Sequence, residues 1–492
     1  MEVAMFPGKE FLRLTIPALF SALALACTAG KPPDEAAETA DHKALWLEPG
    51  SVRPDNEVFR RIKKAVDEIR IIDTHEHLIS EQFYLELPEY SLFNWFRQPW
   101  FPQYSGADLV SAGMPLADLE ALKDSAVPLA ERWARVSPWW PFAKTTGFGQ
   151  ALRIAARDIY GLPDLDDSTW QELCRRMQEA RKAEFYKRGL YDMAGVDLLI
   201  LDQIVLEDPY AWSSFAAPDS KPRVVLVKRF YDTFIRPSRA SLAEIGGNFG
   251  RPLESLDDLL AALDKEFEGM AASGCYVGVK CAMAYDREIH FEDVPRETAE
   301  KIFKRLLKGD LPFEERRPFE DFMLHQVVRR VSKYGLVMQI HTGMLAGPGG
   351  GNVTQTSPIH LYNFFAMYPE TRFSIFHGGF PYMGELAVLA KNFPNVYIDN
   401  TWMPIISPSA TKDWMQRWIE TVPLNKIQGF GGDYIFPEGS YGHSLVARQI
   451  LAEVLAEKVQ AEYFSEREAI WAAKRILRDN AVELFGLKRF LE

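Results

Sequence analysis

Eight short β-rich runs alternate with amphipathic helical stretches along this chain, and no other feature restricts its fold as much. The runs are IRIIDTH (69–75), VDLLILDQI (196–204), RVVLVKRF (223–230), YVGVKCAMAY (276–285), LVMQIHT (336–342), RFSIFHG (372–378), NVYIDNT (395–401) and KIQGFGGD (426–433). Stretches such as FMLHQVVRRVSKYG and SLVARQILAEVLAEKV, with apolar residues at helical spacing, lie between them. Strand–helix alternation predicts parallel βαβ units. Eight units predict an α/β fold of the (β/α)8 TIM-barrel type, with active-site groups at the C-terminal strand ends. The 492 residues, 47% of them hydrophobic, supply a core large enough for one such barrel. No internal repeat is present.

The regular spacing is broken once. Residues 80 to 193, between the first two runs, are rich in Trp, Phe, Tyr and Pro, as in LFNWFRQPWFPQY and ERWARVSPWWPFAK. The segment is too long for a βα loop and predicts a helical insertion over the barrel mouth. Most of its aromatic residues are expected to form a small core of their own. The resulting division is a barrel domain over 56–492, with the insertion at about 80–193.

The N-terminus has a different character. Lys9 and Arg13 precede the apolar run LTIPALFSALALA, too short to span a bilayer comfortably, which ends at Cys27. Residues 1–26 are expected to be a signal peptide, and 27–55, rich in Pro, Ala and acidic residues, a tether. Ala26 before Cys27 also suits a lipoprotein cleavage site, in which Cys27 would carry lipid, although Ala24 and Glu2 depart from the usual pattern. The alternative to export, as a periplasmic or membrane-anchored protein, is a cytoplasmic chain with a buried N-terminal helix. The other three cysteines, Cys174, Cys275 and Cys281, form no disulfide framework. A net charge of −12 with no basic block argues against a nucleic-acid surface, and leaves a lipid on Cys27 as the one membrane contact expected.

The strand ends carry the chemistry. On a strand, side chains at i and i+2 point the same way, so His75 and His77 present two imidazoles to one side and Glu76 turns away. His341 ends the fifth run, His377 the sixth and Asp433 the eighth, while Lys280 lies on the fourth. Taken singly, each has a dull explanation, such as a core histidine bonded to a carbonyl or an aspartate capping a helix. Together they put nitrogens and a carboxylate on one rim, which matches a catalytic site for a divalent metal, zinc being the first expectation. Such an ion lowers the pKa of water to about 7. Asp433 could then both bind the metal and accept a proton, and His377 could be a further ligand or a free base. His42, His290, His325, His360 and His443 fall in predicted helices or loops and read as surface or capping residues. Tyr285, Arg287, Tyr382 and Trp402 follow strands and could line a pocket or simply pack. GPGGGN (347–352) lacks the Lys-Ser/Thr of a phosphate loop and reads as a loop near the metal, a candidate lid.

HxH after the first strand, Lys on the fourth, His on the fifth and sixth and Asp on the eighth resemble the amidohydrolase superfamily. VKCAMAY, QIHTGM, FHGGFPYMGELAVLAKNFPNVYID and the VPLNKI segment leading to GGDY resemble its FluG-like and nodulin-like branch. The layout, with a long helical insertion after HxH, is similar to that of uronate isomerases. The resemblance implies one metal held by His75, His77, His341 and Asp433. In a two-metal variant, carbamylated Lys280 would bridge and His341 and His377 would hold the second ion. As a free ammonium, Lys280 would instead bind a substrate carboxylate. The leading function is then metal-dependent hydrolysis of an amide, ester or lactone of a small molecule. Uronate aldose–ketose isomerisation is the alternative, followed by non-oxidative decarboxylation and an inactive exported binding protein. The oligomeric state is open.

Overall fold

The computed structural model describes residues 56–98, 103–202 and 223–491. The expected signal peptide, tether and Cys27 lies outside the described residues. Eight parallel strands stand in sequence order: β1 (Ile71–Glu76), β2 (Val196–Asp202), β3 (Val224–Arg229), β4 (Tyr276–Cys281), β5 (Val337–Ile340), β6 (Arg372–Ile375), β7 (Val396–Asp399) and β8 (Ile427–Gln428). The fold is the (β/α)8 barrel, nearly closed. β1 and the segment after β8 are joined by backbone hydrogen bonds from Thr74 N to Phe430 O (3.1 Å), His77 N to Tyr434 O (3.0 Å) and Asp433 N to His75 O (2.9 Å).

The strands are shorter than the sequence runs. β8 stops at Gln428, although KIQGFGGD suggests a strand to 433, because its glycines leave the ladder to pass close to other side chains. A methyl group on Gly431 would stand 2.1 Å from Thr401 Oγ1, and one on Gly432 1.8 Å from Glu76 Oε1. β4 likewise ends at Cys281 and turns into a short helical turn at Met283–Tyr285.

Side-chain alternation gives the barrel a dry end and a wet end. Ile72, Leu198, Ile200, Val225 and Val227 form one apolar cluster with Ala481, Leu484, Phe485 and Leu487 of the C-terminal segment. Two residues further along the same faces come Asp202 and Arg229. The insertion is helical, running from helix Glu81–Glu86 to helix Trp170–Ala180, and it buries Trp95, Trp140, Tyr84, Tyr90, Phe93 and Phe96. It lies flush on the barrel: a methyl on Gly442 of helix Pro437–Gln460 would stand 2.0 Å from Ala151 O of helix Gly147–Asp158. Among the described residues, no helix is long and apolar enough to cross a membrane.

Candidate metal centre

The β1 ladder is irregular between Asp73 and Glu76, and His75 near the strand's end converges with His77 just beyond it. His75 Nε2 and His77 Nε2 are 3.3 Å apart. Asp433 Oδ1, from the loop after β8, lies 3.1 Å from His77 Nε2 and 3.7 Å from His75 Nε2. An ion 2.0–2.2 Å from each of three tetrahedral ligand atoms would separate those atoms by about 3.3–3.6 Å. The triangle therefore has the size that such an ion needs. His77 Nδ1 donates to Asp202 O at 2.8 Å, which aims Nε2 inward. His75 Nδ1 is buried with no partner among the described residues.

A second nitrogen pair lies alongside. His341 Nδ1 faces His377 Nε2 at 3.0 Å. Each ring has committed its other nitrogen to a carbonyl: His341 Nε2 donates to Met344 O (2.9 Å) and His377 Nδ1 to Thr401 O (3.0 Å). The two facing nitrogens are then bare lone pairs. Asp433 lies against this pair too, with Oδ2 4.0 Å from His377 Nδ1. The six expected residues thus form a trio, His75, His77 and Asp433, and a pair, His341 and His377, with Lys280 nearby over the Phe376 ring (Nζ 3.5 Å from its centroid).

Burial sets the charge states. It holds His75 and His341 well below the ordinary imidazole range, helped by the positive charge of Lys280, and brings His377 down to about 4. Neutral imidazoles are what a metal requires. Burial alone would raise the Asp433 carboxyl, but the hydrogen bond and charge of His77, with His377 and Lys280, outweigh it and the net shift is downward. Lys280 is lowered to about 7, chiefly by burial, against the pull of Asp202 and Asp433.

The loop that carries Asp433 rests on buried acids. Asp73 Oδ1 accepts from Gly432 N (3.1 Å) and His75 N (3.1 Å), and Glu76 Oε2 accepts from Tyr434 N (2.8 Å). Burial raises both carboxyls, Asp73 to about 7. Glu76, which alternation turns away from the metal side, is therefore a brace between the HxH strand and the GGD loop. Left-handed backbone recurs at three neighbouring strand exits: His377 (φ 60°), Trp402 (φ 64°) and Asp433 (φ 60°). Such conformations cost non-glycine residues about 1–3 kcal/mol each and persist where the surroundings hold them, commonly at functional sites.

Several residues differ from expectation. Asp202 is absent from the sequence-derived set, yet its Oδ2 lies 3.7 Å from His75 Nε2 and it pairs with Arg229 through Nε–Oδ1 at 2.7 Å. Burial raises the Asp202 carboxyl, and the Arg229 charge and hydrogen bond more than reverse it. Arg287 is no pocket residue. Its buried guanidinium binds Asp321 (2.7 Å) and Glu320 (3.2 Å), fixing the loop after β4 to helix Phe313–Lys333. Tyr285 does face the site, its ring 4.6 Å from that of His341, and its hydroxyl accepts from Ala346 N at the start of the glycine-rich loop. Tyr382 donates to Val353 O at the other end of that loop, and Trp402 is buried in the site wall. His325 and His443 are buried rather than superficial. His443 Nδ1 donates to Gly432 O (3.1 Å) behind the metal loop, where helix Pro437–Gln460 brings it.

The Amidohydrolase family model matches residues 257–487. Protein fluG of Emericella nidulans is 22% identical over 357 residues, covering 68% of this chain, which spans only 40% of that protein's length. A uronate isomerase of Phenylobacterium zucineum is 25% identical over 459 residues, covering 87% of this chain and 94% of the relative. Among solved structures, uronate isomerase from Thermotoga maritima superposes with a TM-score of 0.72 at 17% identity, over 87% of this chain and 97% of that one. Glucuronate isomerase from Caulobacter crescentus gives 0.71 at 19%, over 88% and 94%. These structures share the fold, and the resemblance to the amidohydrolase superfamily is shown.

Proposed function

We propose that this chain is a divalent-metal-dependent enzyme acting on a small sugar acid, and that its reaction is the aldose–ketose isomerisation of a uronate. The observation that carries this reading is the arrangement of ligand atoms, the His75/His77/Asp433 triangle and the facing His341/His377 pair, beside two basic side chains, Lys280 and Arg229. The extent of the likeness to uronate isomerases supports the isomerase over the hydrolase first expected, since it spans the insertion as well as the barrel.

A divalent ion on His75, His77 and Asp433 would supply Lewis acidity at a carbonyl and its neighbouring hydroxyl. Lys280 and Arg229 supply positive charge for the substrate carboxylate. Asp433, ionised through its histidine neighbours, takes the proton from C2 and returns it to C1, while the O2 hydroxyl proton passes to O1. An aldehyde and an alcohol become an alcohol and a ketone, and no water is consumed.

Hydrolysis of an amide, ester or lactone is the second reading. It is favoured by the Amidohydrolase match over 257–487, which contains His341, His377 and Asp433. In that reaction Asp433 would accept the proton of the attacking water. The test is to incubate purified, metal-supplemented protein with glucuronate, galacturonate and a panel of lactones and amides. A ketose of unchanged mass supports isomerisation. A ring-opened lactone heavier by one water, or amide fragments that together carry one added water, with uronates untouched, replaces it with hydrolysis.

A further inference from the structure

The helical insertion reaches the candidate metal centre directly. Tyr104 opens helix Tyr104–Ala112, is buried, and donates its hydroxyl to the backbone oxygen of Asp433. Among the described residues no other donor reaches that oxygen. The Asp433 amide is spent on His75 O at 2.9 Å. Both backbone polar groups of this left-handed residue are thus fixed from outside its own loop, one by the HxH strand and one by the insertion.

The same tyrosine belongs to an aromatic stack that ends on His377. Tyr104 and Phe148, from two insertion helices, stack on each other with centroids 5.1 Å apart. Both rings lie on Trp402, at 4.6 and 5.6 Å. Trp402 in turn meets the His377 ring edge-on at 5.1 Å. Trp402 is itself left-handed and fully buried, so its ring has little room to move.

We propose that Tyr104 is a positioning residue of the metal centre: its hydroxyl holds the Asp433 backbone in the conformation that aims the carboxylate at the histidines. The insertion is then part of the catalytic apparatus rather than a cover over it. This rests on the reading of His75, His77 and Asp433 as metal ligands. Removing the hydroxyl leaves a buried carbonyl unpaired and frees the Asp433 backbone to relax. Partners that orient metal ligands in this way typically change metal affinity 10- to 100-fold.

The test uses the full chain and does not depend on knowing the substrate. Tyr104→Phe keeps the ring in its stack and deletes only the hydroxyl. Tyr160→Phe is the control, because it deletes an insertion hydroxyl bonded instead to Glu438 at 2.6 Å. Affinity for Co(II) is measured by competition with a chromophoric chelator, together with the visible Co(II) spectrum. We expect Tyr104→Phe to weaken Co(II) binding about tenfold or more and to shift the spectrum, while Tyr160→Phe leaves both as in the wild type. Wild-type affinity and spectrum in Tyr104→Phe would overturn the proposal, as would equal weakening in both variants. If the wild-type protein takes up no Co(II), the metal reading itself fails and takes this proposal with it.

Discussion

His341 Nδ1 and His377 Nε2 face each other at 3.0 Å with no proton between them. The N–H of each ring is spent on a carbonyl, and burial keeps both rings neutral. Two lone pairs at this distance repel unless a cation is close. A divalent ion bound beside the two rings would relieve this repulsion.

A measurable consequence is a large gap between metal-loaded and metal-free stability. Free ion at about a thousand times its dissociation constant adds about 4 kcal/mol. Chelator-treated protein should melt several degrees lower and recover with added divalent metal. Replacing His377 with Asn removes one of the facing lone pairs, so the metal-free form should suffer less and the gap should narrow. Calorimetry of both proteins with and without chelator checks this. Identical melting in both states would mean that no ion is held.

Gly432→Ala tests the brace beneath Asp433. The added methyl would stand 1.8 Å from Glu76 Oε1 and 3.2 Å from Asp73 Oδ2, both in a fully buried pair. Overpacking of this kind typically costs about 1–3 kcal/mol. Here the displaced groups also hold the Asp433 loop through Gly432 N and Tyr434 N. The variant should lose stability in urea unfolding and bind metal less tightly. Unchanged metal binding would separate the brace from the site.

The barrel and the histidines are readable in the sequence because each depends on local pattern: β-rich runs, helical spacing, and polar residues where apolar runs end. Asp202 obeys the same rule, following Leu198 and Ile200 at spacing two, but a strand drawn on to Ile204 hides it. Glu76 is misread for a subtler reason. Alternation turns it away from the histidines, and nothing local says that it meets a loop 358 residues later, at the amide of Tyr434. His443 fails in the same way, since only the packing of its helix brings it to Gly432 O. Contacts that link distant segments are set by tertiary geometry, and one-dimensional periodicity carries no record of them.

Glu438 gives the stability a pH dependence. The carboxyl is fully buried and accepts from Tyr90 (3.0 Å) and Tyr160 (2.6 Å), tying the insertion to helix Pro437–Gln460. Burial raises it from 4.5 to about 7, against the lowering effect of these hydrogen bonds. A raised carboxyl binds its proton more tightly in the folded state, so between pH 4.5 and 7 folding stability falls as pH rises. Above pH 7 the cost levels off at roughly 3 kcal/mol. Glu438→Gln cannot ionise and should gain on the wild type by about this amount between pH 4.5 and 8, read by urea unfolding. A constant difference across that range would show that Glu438 titrates normally.

Asp433→Asn separates catalysis from structure. Asn keeps the shape of the side chain and the backbone bonds to His75 O and Tyr104, but it has no charge and cannot accept a proton. If Asp433 moves the proton in either proposed reaction, the variant should fold normally and lose turnover by about a hundred- to ten-thousand-fold. His75→Ala should lose metal and turnover together, because it deletes a corner of the ligand triangle. His377→Asn distinguishes two roles: lost metal makes His377 a ligand, whereas retained metal with lost turnover makes it a base or an electrophile. Metal content and initial rates are measured on the same preparations, with the substrate found in the uronate, lactone and amide panel. Turnover that survives Asp433→Asn would remove Asp433 from proton transfer. The acceptor would then have to be sought among Asp202, His341, His377 and Lys280, titratable groups beside the triangle.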